Sequence, residues 1–292
     1  MLFRSVWDDH EVANDAYMDG AENHQPTTEG DWYTRLRAAK QAYFEWMPVR
    51  KPDPNGDTMR IYRNFSFGNL IRLEMLDTRL QGRTIQLATS DPGYNDTSRT
   101  MMGIGQRSWL FNDLNNSTAK WNIIGQQVMM APMTLFGSPL NADQWDGYPA
   151  ERTRMYDNLV LNSAKNVVVL TGDIHSAWGN DLRLSGYSSS NRSASAGVEF
   201  VAPSVTSPNP LANLSSGTIQ LFNAHARYVD LSYNGFMLID VNKKRVQSDW
   251  YEVSTIKSLS FYTNYKAGWY VNSSEKFLRQ AAGATSRAAN KI

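Results

Sequence analysis

Between residues 28 and 47, Trp32, Leu36, Ala39, Tyr43 and Trp46 recur at spacings of three and four. That period predicts an amphipathic helix, and Pro48 follows its end. Residues 48–60, with Pro52, Pro54 and Gly56, read as a loop. The pattern then partly alternates over Leu70–Asp77, as in a strand with one wetter face. Residues 84–103 are rich in Thr, Ser, Asp and Gly and predict a surface loop, with Gly103-Ile104-Gly105-Gln106 as a helix entry. A helix over Gln106–Leu114 and a strand over Trp121–Met130 follow, then an irregular stretch at 133–149 and a helix over Glu151–Leu161.

The run Val167-Val168-Val169-Leu170-Thr171 is wholly apolar or β-branched and stops at Gly172-Asp173-Ile174-His175. It predicts a buried strand whose carboxyl end presents an aspartate and a histidine two residues apart. A serine-rich loop spans 185–197, and further strands are predicted at Val198–Ala202, Gly235–Val241 and Val246–Val253. Residues 279–292 read as a last helix or a frayed end. Helices and strands alternate in the middle and strands dominate the end, which predicts an α/β or α+β layered fold with no clear domain boundary.

Composition narrows the chemistry. The chain has 292 residues, enough for a large core, and 29 basic against 28 acidic residues, so no broad positive field argues for nucleic acid. The nearest basic run, Lys243-Lys244-Arg245, reads as an exposed turn. With no cysteine, disulfides, zinc–thiolate sites and thiol nucleophiles are excluded. No apolar run is long enough to span a membrane. No nucleophile elbow, Walker A or dinucleotide glycine motif is present. Nine tryptophans and fourteen tyrosines could stack on glycans or bases, although an aromatic core explains them as well.

Two acidic–histidine clusters remain in a chain with four histidines: Trp7-Asp8-Asp9-His10-Glu11 and Asp173-x-His175. Carboxylate oxygens and imidazoles together suit iron, manganese, zinc or calcium. Arg79 and Arg152 are candidates for gripping an anion; the competing expectation is structural ion pairs with Asp77 and Glu151. His225 is expected to be a packing or surface histidine, and His24 lies in a polar loop without signal.

These pieces occur in an order that resembles the PhoD-type alkaline phosphatases, a branch of the calcineurin-like metallophosphoesterases. The matching segments are Trp-Asp-Asp-His-Glu (7–11), Tyr-Arg-Asn-Phe-Ser-Phe-Gly-Asn-Leu (62–70), Met-Leu-Asp-Thr-Arg (75–79) and Gly-Gln-Arg-Ser-Trp-Leu (105–110). They continue with Trp-Asn-Ile-Ile-Gly-Gln-Gln-Val-Met-Met-Ala-Pro (121–132), Trp-Asp-Gly-Tyr-Pro-Ala-Glu-Arg (145–152), Leu-Thr-Gly-Asp-Ile-His-Ser-Ala-Trp (170–178) and Glu-Phe-Val-Ala-Pro-Ser-Val-Thr-Ser-Pro (199–208). The likeness runs from 7 to about 253, leaving 254–292 as a carboxyl-terminal extension of one catalytic domain.

The resemblance implies a sandwich of two β-sheets flanked by helices and metal-dependent hydrolysis of phosphate mono- and diesters at alkaline pH. It implies iron with calcium as cofactors, and a periplasmic or secreted location, although no signal peptide is visible. Carried residue by residue, Asp9, Asp173 and His175 fall on metal-ligand positions, and His10 falls on the histidine that assists the leaving group. Gln126 or Gln127 lies near another ligand position. Arg79 and Arg152 would hold phosphate oxygens while a metal-activated hydroxide attacks phosphorus in line.

The family's first metal motifs lie upstream of the Asp-Asp-His-Glu cluster, yet only six residues precede Trp7. The chain therefore looks like a member lacking its amino-terminal portion, with an unpaired apolar sheet edge expected. The alternative to an active hydrolase is a remnant that binds metal or phosphate without turnover; an aromatic polyanion- or glycan-binding module is a third reading.

Overall fold

The computed structural model describes residues 4–52, 55–57, 59–161, 166–259 and 261–286. Helices α1 (Pro26–Glu29) and α2 (Trp32–Trp46) precede the strands β1 (Arg63–Phe67) and β2 (Ile71–Met75). Then come α3 (Gly103–Asn116), β3 (Trp121–Gly125), the short β4 (Thr134–Leu135) and β5 (Ser138–Pro139), α4 (Pro149–Leu161) and β6 (Val167–Thr171). The remainder is β7 (Ala177–Arg183), β8 (Ser195–Val201), α5 (Ser216–Phe222), β9 (Ala226–Asp230), β10 (Gly235–Val241), β11 (Arg245–Val253), β12 (Thr263–Asn272) and β13 (Arg279–Gln280).

Seven strands form one sheet in the order β1-β2-β3-β6-β8-β7-β9, and β10-β11-β12-β13 form a second. The neighbours β2, β3, β6 and β8 run parallel, so their carboxyl ends lie along one rim. Val168, Val198 and Phe200 of the large sheet pack on Val246, Trp250 and Val271 of the small one. On the opposite face, Ile124 and Val169 pack under Leu110 of α3 and Met155 and Leu159 of α4. The expected two-sheet α/β sandwich with flanking helices is the observed architecture. Period-two alternation explains it: each central strand sends one set of side chains to the small sheet and the other to the helices.

Helix α2 starts where Asp31 accepts the Thr34 backbone N–H, and Gly30, at φ 84°, separates it from α1. Its buried face, Trp32, Leu36 and Tyr43, clamps Trp7, Val12 and Ala16, which anchors the first acidic cluster against the body of the protein. Helix α3 begins at Gly103, as its entry sequence predicts, and α4 begins at Pro149, a residue preorganised for a first turn.

Some elements differ from expectation. β3 ends at Gly125 instead of Met130, because the Met130 and Ala131 N–H groups donate to the buried Glu199 carboxylate and not to a ladder. Strands β1, β7, β9 and β12 carry no clean alternation and escape the sequence pattern. In the tail, residues 279–280 form β13 and 281–286 are not helical; 287–292 lie outside the described residues. Among the described residues β10 pairs only with β11, and its Phe236, Met237, Leu238, Ile239 and Val241 are half-buried.

Glu74 sits inside the large sheet on β2, opposite Asn64 and Ile124, and neither of its carboxyl oxygens has a hydrogen-bond partner. Burial, reinforced by Asp113, pushes its pKa from 4.5 up to about 9. Between those two values the folded chain holds one more proton than the unfolded chain, so stability falls as pH rises through that window. Glu74→Gln removes this titration, so its thermal midpoint should fall less between pH values of about 6 and about 9 than that of the wild type. Parallel falls in the two proteins would show that Glu74 does not carry the effect.

Candidate metal centre at the strand ends

The acidic residues of the site arrive from three segments. Asp8 and Asp9 come from the loop clamped by α2. Asp143 precedes α4, and Asp173 follows β6. Arg79 follows β2 and lies at their centre, with a fully buried side chain. Its Nε donates to Asp8 Oδ1 at 2.6 Å, Nη1 to both Asp143 oxygens at 2.8 and 2.6 Å, and Nη2 to Asp173 Oδ1 at 2.5 Å. Asp9 Oδ1 lies 3.7 Å from Nη2. A second buried arginine, Arg83, donates to Asp143 Oδ1 at 2.5 Å and to the Asp143 carbonyl at 2.7 Å.

The turn after β2 that delivers Arg79 is built by side chains. Asp77 Oδ1 accepts the Arg79 and Leu80 backbone N–H groups, and Gln106 accepts the Asp77 N–H while donating to its carbonyl. The expected Arg79–Asp77 ion pair is therefore not formed; Asp77 shapes the turn and Arg79 reaches past it. Gln127 accepts from Thr78 N and Oγ and donates to the carbonyls of Trp7 and Leu76, tying the amino-terminal segment to the sheet rim. Gln126 bonds Trp145, Thr171 and the Val128 carbonyl. Both glutamines are spent on structure.

Asp8, Asp9, Asp143 and Asp173 line a cavity of about 570 Å³ that also takes in His10, Asp15 and His175. Asp15, Asp173 and His175 are three of the six non-glycine residues with positive φ among the described residues, at 54°, 68° and 58°. Left-handed backbone at side-chain-bearing residues costs free energy, and its concentration here marks a functional site. Asp8, Asp9 and Asp173 each offer an oxygen within 4.8 Å of the others'.

Charge balance decides what the cavity can accept. Asp8, Asp9, Asp143 and Asp173 face two cations, Arg79 and Arg83, leaving two negative charges unmatched before Asp15 is counted. Burial pulls the Arg79 pKa down, but Asp8, Asp143, Asp173 and Asp9 outweigh it and hold the group well above its ordinary range. One guanidinium cannot neutralise four carboxylates. Burial, with Asp8, Asp143 and Asp9 adding to it against Arg79, holds the Asp173 pKa well up, and burial followed by Asp143 lifts Asp15 to about 6. Asp143 goes the other way, because Arg83 and Arg79 overcome its burial. An excess of hard oxygen donors in a half-closed cavity fits a metal cation.

The two histidines sit at the cavity's rim. His175 Nδ1 lies 2.9 Å from the Pro208 carbonyl, which can only accept, so Nδ1 carries the proton and Nε2 keeps its lone pair. His10 is exposed at the mouth, its Nε2 3.2 Å from Asn14 Oδ1 and 3.9 Å from Asp9 Oδ2. Asn14 Nδ2 donates to Glu22, so its oxygen faces the ring and Nε2 is the N–H donor. Asp9 is held by backbone N–H groups, Oδ1 by His10 and Oδ2 by Asp15.

Asp9, His10, Asp173, His175 and Arg79 thus converge, as the sequence suggests, with the Arg79 hydrogen bonds directed to the carboxylates of Asp8, Asp143 and Asp173. Arg152 is not brought to the site. It bonds Asp146 at 2.5 Å and lines another concavity with Tyr156 and Arg183, while Glu151 pairs with Arg107 and Arg154. His225 is buried, its Nε2 donating to the Pro132 carbonyl, and burial drops its pKa to about 3, the packing role expected of it. His24 is buried against Trp32 with Arg35 beside it, a core histidine within a polar sequence. Asp143, the partner of both arginines, lies in a stretch without periodicity and gives no local signal.

The fold and the site together define an α/β protein with an acidic, cation-accepting cavity at parallel strand ends. Residues 2–250 match the sequence model of the PhoD-like phosphatases, and the chain belongs to that family. It is 34% identical over 293 aligned residues to alkaline phosphatase D of Bacillus subtilis (strain 168), covering 96% of this chain and 49% of that protein. A solved structure titled "Structure of PhoD" superposes with a TM-score of 0.81 at 31% identity, covering 97% of this chain and 55% of that one. The chain spans about half the length of these relatives.

Replacing Arg79 with methionine would leave four carboxylates, Asp9 and Asp143 buried and Asp8 and Asp173 half-buried, facing Arg83 alone. The expected loss is about 3–5 kcal/mol of stability in metal-free protein, read from urea unfolding. A loss below about 1 kcal/mol would show that Arg79 is not the cluster's counter-ion.

Proposed function

We propose that this chain is a metal-dependent phosphoester hydrolase acting on phosphate mono- or diesters. The observation that carries this reading is the set of Asp8, Asp9 and Asp173 oxygens gathered in a cavity with unmatched negative charge, in a member of a phosphatase family. Asp9 and Asp173, with Asp8, would hold the ion, and His175 Nε2 is the nitrogen ligand nearest to hand. Hard oxygens plus imidazole suit iron, manganese, zinc or calcium, and the family resemblance favours iron with calcium among them. When bound, the metal supplies positive charge for the phosphoryl oxygens and lowers the pKa of water.

The chain's own groups do the rest. Arg79 positions Asp8, Asp143 and Asp173 and keeps their mutual repulsion from opening the cavity. Pro208 fixes the His175 tautomer. His10, at the mouth, presents an Nε2–H that Asn14 orients, and it is placed to give a proton to a leaving alkoxide. A location in the periplasm or outside the cell belongs to this proposal and is supported by the family resemblance alone.

The test is hydrolysis of p-nitrophenyl phosphate and bis-p-nitrophenyl phosphate at alkaline pH by protein stripped of metal and reloaded with iron and calcium. Turnover should require metal and fall about a hundredfold or more in Asp173→Ala/His175→Ala. Equal turnover in the variant would remove these residues from the site. No turnover by folded, metal-loaded wild type would overturn catalysis and favour a binding remnant.

A further inference from the structure

Opposite in character to the acidic cavity is a second concavity, of about 530 Å³, that shares no residue with it. Arg4, Arg50, Lys51, Arg60 and Arg63 line it beside Phe65 and Trp109, and among the described residues no acidic side chain does. The amino-terminal segment, the loop after α2 and the approach to β1 each contribute, so residues scattered over sixty positions meet at the edge of the large sheet. In a chain whose net charge is +1, five cations at one place without carboxylates are a local concentration, not a reflection of composition.

The site is partly preorganised. The Phe65 ring lies under Arg4, 3.8 Å from its guanidinium carbon, and 5.4 Å from that of Arg63. Arg63 is braced by donating to the carbonyls of Ile61 and Ser5. The Arg60 guanidinium packs over Tyr62, and its Nε is buried without a hydrogen-bond partner. A buried donor left unmet costs free energy that an anion would recover. Burial pulls the Arg63 pKa below its ordinary value, and Arg4 adds to this against Tyr43. Arg50 and Lys51 are exposed on the rim.

We propose that this basic concavity is a binding site for a linear chain of phosphate groups. Arginine forks match phosphate oxygens bidentately. A single orthophosphate brings at most about two charges near neutral pH, too few for five cations, whereas a short oligophosphate or a run of phosphodiesters matches them. The proposal does not depend on turnover at the acidic cavity.

Isothermal titration of metal-free protein with inorganic tripolyphosphate tests it, with orthophosphate as the control. A phosphodiester-linked oligomer of matched charge distinguishes a polymeric ligand from free oligophosphate. Tripolyphosphate should bind wild type and Asp173→Asn equally, and at least about tenfold more tightly than orthophosphate. The exposed-site double variant Arg50→Gln/Lys51→Gln should weaken binding about tenfold or more, with a shallower salt dependence, and Arg60→Gln should weaken it as well. Unchanged binding in the double variant, or loss of binding in Asp173→Asn, would overturn the assignment. Orthophosphate binding as tightly as tripolyphosphate would overturn the chain-of-phosphates ligand.

Discussion

A guanidinium with no exposed surface must be neutralised by its neighbours, because an isolated buried charge costs more than a fold of this size can offset. Arg79 is such a group, and its four carboxylate neighbours come from three places: the segment before α2, the approach to α4 and the end of β6. Pairing in this way draws three distant stretches of sequence to one point above the parallel strands. The side chains around it do the same work at shorter range. Asp77 and Gln106 set the turn that carries Arg79, Gln127 ties Trp7 to the sheet, and Arg83 holds Asp143 from the far side. Glu199 completes the frame by capturing two N–H groups beyond β3 and bonding Thr171 and Asn180. The cavity's shape therefore depends on a network in which most polar groups are already committed.

How much of this could be read from the chain follows from the range of each interaction. The β6 run ends at a glycine and then an aspartate and a histidine, so strand, turn and site residues are all local and visible. The α2 stripe and the body of α4 from Glu151 are visible for the same reason. Strand β7 is not, because its interior holds Asn180 and Asp181, which look like loop residues until their partners are known. Asn180 bonds Glu199, and Asp181 is held by Arg192, Tyr187 and the Leu278 N–H. Asp143 is hidden likewise: its partners lie sixty or more positions away. The same blindness affects Arg79 and Arg152, which look alike as anion-grippers until the fold hands each one to aspartates. The family's ordered motifs point to the rim and to Asp9, Asp173, His10 and His175; they do not show that the arginine among them serves the carboxylates.

Near-zero net charge hides a segregated surface. One cavity gathers carboxylates beyond what its arginines neutralise, while the concavity beside β1 gathers cations with no carboxylate among its described lining residues. Sequence counting averages the two, and only tertiary structure separates them. Each depends on groups brought together from well-separated positions, so neither pole exists in the unfolded chain.

This segregation orders events at the acidic cavity. A phosphoester carries negative charge, and a cavity with two or more unmatched carboxylates repels it; in a half-closed, poorly solvated space that repulsion is stronger than in bulk water. Under the proposed function the chain's own charge is thus of the wrong sign for the substrate, and a bound cation would reverse it. The same cation relieves the crowding that holds Asp173 and Asp15 toward their protonated forms, since an adjacent positive charge favours the ionised carboxylate. Under the proposed metal-dependent function, metal uptake would therefore be linked to proton release from these carboxylates.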